Sequence, residues 1–207
     1  RLLEFQLDTN IDGYQTFHEA MKGATMDGLL PGRGMSVVKY DAKTDGDVKQ
    51  NEIICAENKS WDRVYFGYSR KWATVPWMAY ELFLEYDEVK DLSSKAIADE
   101  LTYETEEDEE KKKDDQGTRK VARVYQVWDK TNRKVRYVAL SYKDAFLKVD
   151  DDPLSLTGFF NMPRPLYFVE KTDDLIPTPL YALYENQANE LNQLTVRISR
   201  IVKALKA

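Results

Sequence analysis

Near its C-terminal end the chain places Tyr184, Gln187, Leu191, Leu194, Ile198, Ile201 and Leu205 at alternating steps of three and four residues. On an α-helix such positions fall on one stripe, so the spacing is that of a heptad seam. Thr178 reads as the N-cap and Pro179 as the first helical residue, where a missing N–H costs nothing. Neither glycine nor any other stop signal follows, so the pattern is still running at Ala207. A helix of this length must bury its stripe against its own domain or a neighbouring subunit; alone it would leave that surface in water. Helix packing or oligomer contact is therefore assigned to Leu191, Leu194, Ile198, Ile201 and Leu205. A chain that opens without Met and stops inside a helical pattern also reads as part of something longer.

What the chain lacks narrows its chemistry. One cysteine, Cys55, excludes an intramolecular disulfide framework and any multi-thiolate zinc site. It lies in the run Ile53-Ile54-Cys55-Ala56 and reads as a buried, inert thiol. One histidine, His18, removes most zinc chemistry and most Ser-His or Cys-His catalysis, and reads as a helix-surface residue. No apolar run approaches a membrane span, and Arg1-Leu2-Leu3-Glu4 lacks the order of a signal peptide. The expectation is a chain of a reducing, soluble compartment with no membrane partner. Asp+Glu 36 outnumber Lys+Arg 30, a formal charge of -6, which argues against a dedicated nucleic-acid clamp. Aromatics at 12% and hydrophobics at 43% are ample for a packed core.

The periodicities predict an α+β fold of antiparallel strands and hairpins, with flanking helices and the long C-terminal helix. Asp12 to Leu30 approximates a helix with Asp12 as its cap and Tyr14, Phe17, Ala20, Met21 and Ala24 on its apolar side. Leu30-Pro31-Gly32-Arg33-Gly34 reads as a turn with permissive glycines on both sides of the arginine. Strands follow at Met35–Tyr40 and Glu52–Ala56, joined by a polar loop, with a third short strand at Trp61–Phe66. Pro76 suits a strand start, and a helix begins near Tyr86 with a break at Ser93-Ser94. The segment about 104–117, with its acidic run and Lys111-Lys112-Lys113, is a solvated insertion rather than a calcium loop, since no Asp-x-Asp-x-Asp-Gly spacing is present. Lys120 to Trp128, the turn Asp129–Arg133 and Lys134 to Ser141 form the clearest hairpin. Five prolines between Pro153 and Pro179 forbid a long helix and favour an extended segment pinned by aromatic burial. One domain is expected over 1–177, and the long helix over 178–207.

Three motifs invite a catalytic or binding reading. Asp41 after one strand and Glu57-Asn58-Lys59 after the next are the parts of a metal-dependent nuclease: two carboxylates for magnesium and a lysine for the developing phosphorane charge. Glu88-Val89-Lys90 matches the same triplet, however, so the pattern is what a charge-rich chain yields by chance. The glycines of residues 28–34 lack the Gly-Lys-[Ser/Thr] of a phosphate loop and follow a helix instead of a strand, so a tight αβ turn is the better reading. Trp61, Trp72, Trp77 and Trp128 have the chemistry to stack bases or sugars in an aromatic groove, as a monomeric binding module would. Basic residues near them are few (Arg63, Arg70 and Lys71), which favours core packing.

Taken in order, several segments carry a likeness. They are Leu29–Gly34 leading to Val37-Val38-Lys39-Tyr40; Trp61-Asp62 with Ser69–Tyr80; Val127-Trp128-Asp129-Lys130; Asp152–Phe160 with Pro163-Arg164-Pro165-Leu166; and Ile176–Tyr181 running into Tyr184, Gln187, Glu190–Asn192 and Arg197-Ile198. This ordered set resembles the portal proteins of tailed bacteriophages, specifically the large portals of short-tailed phages. The charged block departs from the pattern as a variable insertion, and Asn161 stands where a proline would fit better.

The resemblance implies a non-enzymatic structural subunit of a homo-oligomeric, twelve-fold ring at one capsid vertex of the virion, assembled in the host cytoplasm. Double-stranded DNA would pass through the ring without specific binding, packaged by the terminase motor and later ejected. Terminase, capsid or scaffold proteins and tail adaptor proteins are the implied partners. No cofactor, metal or catalytic residue is implied. Residues 1–177 would be the wing and 178–207 the start of the helix toward the stem.

Overall fold

A computed structural model describes residues 14–45, 48–105 and 120–205. Its fold is α+β, as the periodicities predict, and its contacts form two compact units, Arg1–Trp61 with Arg164–Ala207, and Asp62–Pro163. The single domain expected over 1–177 contains no such boundary. Residues 164–207 return to the first unit, so the long helix belongs with the N-terminal hairpin.

In the first unit, helix α1 (Phe17–Leu29) starts at Thr16, whose hydroxyl accepts from Glu19 N while the Glu19 carboxylate accepts from Thr16 N. This reciprocal capping box satisfies two of the backbone donors that a helix start leaves open. The expected cap, Asp12, lies outside the described residues. Small residues make up the buried face of α1, namely Ala20, Ala24 and Gly28, while Phe17 and Leu29 are exposed. That reverses the expected weighting toward the large residues, because small side chains let the helix lie close on the hairpin beneath.

Strands β1 (Arg33–Asp45) and β2 (Val48–Lys59) pair antiparallel from Met35↔Lys59 to Asp45↔Val48, with an irregularity between Asp41 and Lys43. The strands thus run well into what the sequence reads as a polar loop. Gly32 carries φ +92°, a conformation that glycine adopts without strain. Gly34 is needed for a different reason: a Cβ there would lie 1.7 Å from the Ala24 carbonyl oxygen of α1.

The second unit is built on an antiparallel sheet. Strands β3 (Val64–Phe66) and β4 (Trp77–Leu84) pair with each other. Helices α2 (Tyr86–Leu92) and α3 (Lys95–Glu100) then break at Ser93-Ser94 as expected, with the Ser94 hydroxyl capping α3. Strand β5 (Glu104–Thr105) adds to β6 (Lys120–Asp129), which hairpins into β7 (Lys134–Ala139) and β8 (Lys148–Asp151). The order is β3-β4-β6-β7-β8, with β5 beside β6. Asp129 shapes the hairpin turn, its carboxylate accepting from Thr131 N, Asn132 N and Asn132 Nδ2, and from Arg136 Nη1 at 2.7 Å. Val89, Ala98, Leu101, Val124 and Leu147 form one core cluster. In the proline-rich segment Phe159 and Phe160 are buried, with Phe159 edge-on to Trp128 and Phe160 beside Trp72. The aromatic pinning expected there is present.

Strand β9 (Leu166–Tyr167) pairs with Arg33 and Gly34 at the start of β1, closing the first unit's sheet in the order β2-β1-β9. The chain then enters helix α4 (Leu180–Leu205). This start is one residue later than the sequence predicts: Pro179 precedes the helix, and its carbonyl accepts from Ala182 N.

Candidate functional site

The first unit carries an apolar helix face that its own fold leaves uncovered. Helix α4 runs 26 residues, about 39 Å at the usual rise, and none of its residues is buried. Every assigned seam residue is on view: Leu191, Leu194, Ile198, Ile201 and Leu205 are between 45% and 81% exposed. Leu183 and Tyr184 continue the stripe toward the helix start, Val202 widens it near the end, and all three are exposed as well. The opposite face holds Glu185, Asn189, Asn192, Arg197, Arg200 and Lys203. Charge along the helix is polarised, with both acids in the first half and all three of these cations in the last three turns. That order suits the helix dipole.

At the foot of α4 lies an open depression of about 500 Å3, lined by Met26, Asp27, Leu30, Pro31, Trp61 and Pro179. Arg33, the residue between the two glycines, fixes the Trp61 wall. Its Nη2 donates to the Trp61 carbonyl at 2.9 Å, and its guanidinium lies 5.5 Å from the indole centroid. Met26, Leu30 and Trp61 are all exposed. Nearby on β9, burial pushes the Tyr167 phenol up to about 12 against the pull of Arg33 and Arg164, while Glu170 and Asp174 add to the rise. Arg164 forms an ion pair with Glu170.

The other candidate residues fare differently. Glu57 forms ion pairs with Lys39 and Lys59. Burial opposes its charge, yet the two ammonium groups prevail and hold its pKa below the usual carboxylate value. Asp41 pairs with Ile53, four residues along β2 from Glu57, about 13 Å away at the strand rise. Asp41 and Glu57 are thus not brought together. Among the described residues no group of three or more His, Cys, Asp or Glu stands where it could hold a metal ion. Cys55 is buried, as expected, and His18 is exposed on α1. Of the tryptophans, Trp128 is core and Trp72 is half-buried against Phe66 and Phe160, whereas Trp61 and Trp77 are exposed. Among the described residues no helix is long and apolar enough to cross a membrane.

Sequence spacing finds the seam but misses the depression. Its lining comes from three separate stretches of chain, 26–31, Trp61 and Pro179, which sequence spacing alone does not bring together. Only the Pro31-Gly32-Arg33-Gly34 turn marks one wall of it in advance. Neither a protein-family model nor a curated protein matches the chain.

Proposed function

We propose that this chain is a structural subunit of a tailed-phage portal ring, the DNA conduit at one capsid vertex through which the genome is packaged and ejected. Residues 1–177 would be wing, and α4 would lead toward the stem. The ordered likeness to short-tailed-phage portals motivates the reading, and one observation carries it: a 26-residue helix with none of its residues buried and a continuous apolar seam. Isolated helices draw most of their stability from packing, so this one calls for neighbours. Copies related by rotation supply them through a heterologous contact that closes on itself.

The net charge of -6 suits the same role. A conduit must let a polyanion slide, and a negative surface holds it weakly. Docking of the terminase motor, capsid or scaffold proteins and tail adaptors belongs to this proposal, as does a virion location.

The test is the mass of the full gene product by light scattering, together with incubation with nucleotide and with double-stranded DNA. A large discrete oligomer without hydrolysis is the expected result. Magnesium-dependent cleavage lost in Glu57→Ala would overturn the reading in favour of the nuclease. A persistent monomer would favour a binding module, the second reading, for which the Trp61-walled depression speaks.

A further inference from the structure

On the seam of α4, Tyr184, Leu191, Ile198 and Leu205 hold the a positions of the heptad, and Leu180, Gln187, Leu194 and Ile201 hold the d positions. The residue before each a position, g, borders the seam on one side, and Glu190 and Arg197 both stand there. The opposite border, one residue after each d position, carries Ala188, Thr195 and Val202 and no charge. Glu185, Arg200 and Lys203 fall at b, c and f, on the far face of the helix. Glu190 and Arg197 are therefore the charges that edge the apolar stripe. Both are exposed, and neither has an opposite charge three or four residues away on its own helix.

Helix geometry decides what can pair with them. A second α4 laid antiparallel on the first, in full overlap, brings Leu180 of each copy level with Leu205 of the other. Each a residue then meets a d residue, the layering that knobs-into-holes packing uses. Tyr184 meets Ile201, Gln187 meets Ile198 and Leu191 meets Leu194. In the same register the g borders face each other, so Glu190 of each copy comes beside Arg197 of the other, twice by symmetry. A parallel pair sets Glu190 against Thr195 and Arg197 against Val202, where neither charge finds a partner. Overlap, seam and charge agree in the antiparallel arrangement alone. We infer that a copy of this chain outside any ring pairs through α4 with a second copy, antiparallel and related by a two-fold axis, so that each seam covers the other. The contact is isologous and closes with two copies. Neighbours around a single ring axis run parallel, so building a ring first parts the pair. This inference does not rest on the ring reading; it says where the seam goes without one.

The experiment uses the 207-residue chain, whose sedimentation equilibrium should fit a dimer. Copies carrying Gln187→Cys are mixed with copies carrying Ile198→Cys and oxidised; both positions are exposed, so the fold tolerates them. A disulfide needs Cα atoms within about 7 Å, so a mixed cross-link is the expected result. Ile198→Cys alone should stay unlinked, because its two copies stand 11 residues apart along the pair, about 16 Å. Glu190→Arg or Arg197→Glu alone should raise the dimer dissociation constant about tenfold at low salt, and the two together should restore it. A monomer at every concentration, any oligomer without the mixed cross-link, or a dimer indifferent to the single reversals overturns this inference. Ile198→Cys linking to itself overturns it in favour of parallel seams. Each of these outcomes leaves the ring reading standing, since that reading is tested by the mass of the full gene product.

Discussion

Replacing Ile198 by Asp separates a seam that joins subunits from one that merely decorates a helix. Ile198 is 61% exposed, and no residue of α4 is buried. Within one copy the substitution therefore removes little packing. What remains is the difference in helix propensity, a few tenths of a kcal/mol, so the denaturation midpoint of an isolated copy should barely move. In an assembly the account is different. The five assigned seam residues together expose about three full aliphatic side chains, and covering them yields about 6 kcal/mol per helix at ~2 kcal/mol each. Asp at 198 forfeits about 1 kcal/mol of that and also forces a carboxylate out of water, which costs several kcal/mol unless it is paired. A loss of about 3–5 kcal/mol per contact weakens each contact by about two to nearly four orders of magnitude, enough to empty a ring. The assay pairs sedimentation of the full gene product with urea unfolding of dissociated copies. Undiminished assembly would refute the reasoning. So would a drop of more than about 2 kcal/mol in the dissociated copy, because the seam would then pack internally.

Other consequences are local and cheap to measure. Gly34→Ala drives a methyl into the Ala24 carbonyl and should destabilise the first unit by about 2–4 kcal/mol in urea unfolding. At Gly158 an added Cβ meets nothing within 4 Å, so Gly158→Ala should stay within about 0.5 kcal/mol. Thr16→Ala, which removes the capping box, should cost about 1 kcal/mol, visible as earlier loss of helical dichroism on heating. The Arg136 hydrogen bond, opposed by burial and aided by Asn132, holds Asp129 at about 2. Its folded value is depressed, so its stabilising contribution is full above the unfolded value of about 4 and is lost as pH falls toward 2. The stability gap between the natural chain and Asp129→Asn should therefore be flat at neutral pH and close between pH 4 and 2.

Local signals were strong wherever structure is local. The β6–β7 hairpin, the break at Ser93-Ser94 and the strand after Pro76 all follow from turn residues and short periods. The Thr16-x-x-Glu19 capping box was equally present in the sequence and marks the helix start better than an isolated aspartate does. The division of the chain was not legible. It depends on Leu166 and Tyr167 pairing with Arg33 and Gly34, and two residues carry no periodicity with which to announce a distant partner. For the site, three-four spacing exposed the seam, because a helix converts sequence spacing directly into a face. The scarcity of basic neighbours favours core packing for Trp61, yet it stands exposed as one wall of the depression, held there by Arg33.

Particle images of the full gene product address the central claim most directly. The account requires closed rings of repeated subunits around a central opening, with α4 of each copy lying against its neighbour. A population of single, unassociated particles at every concentration tested would contradict it.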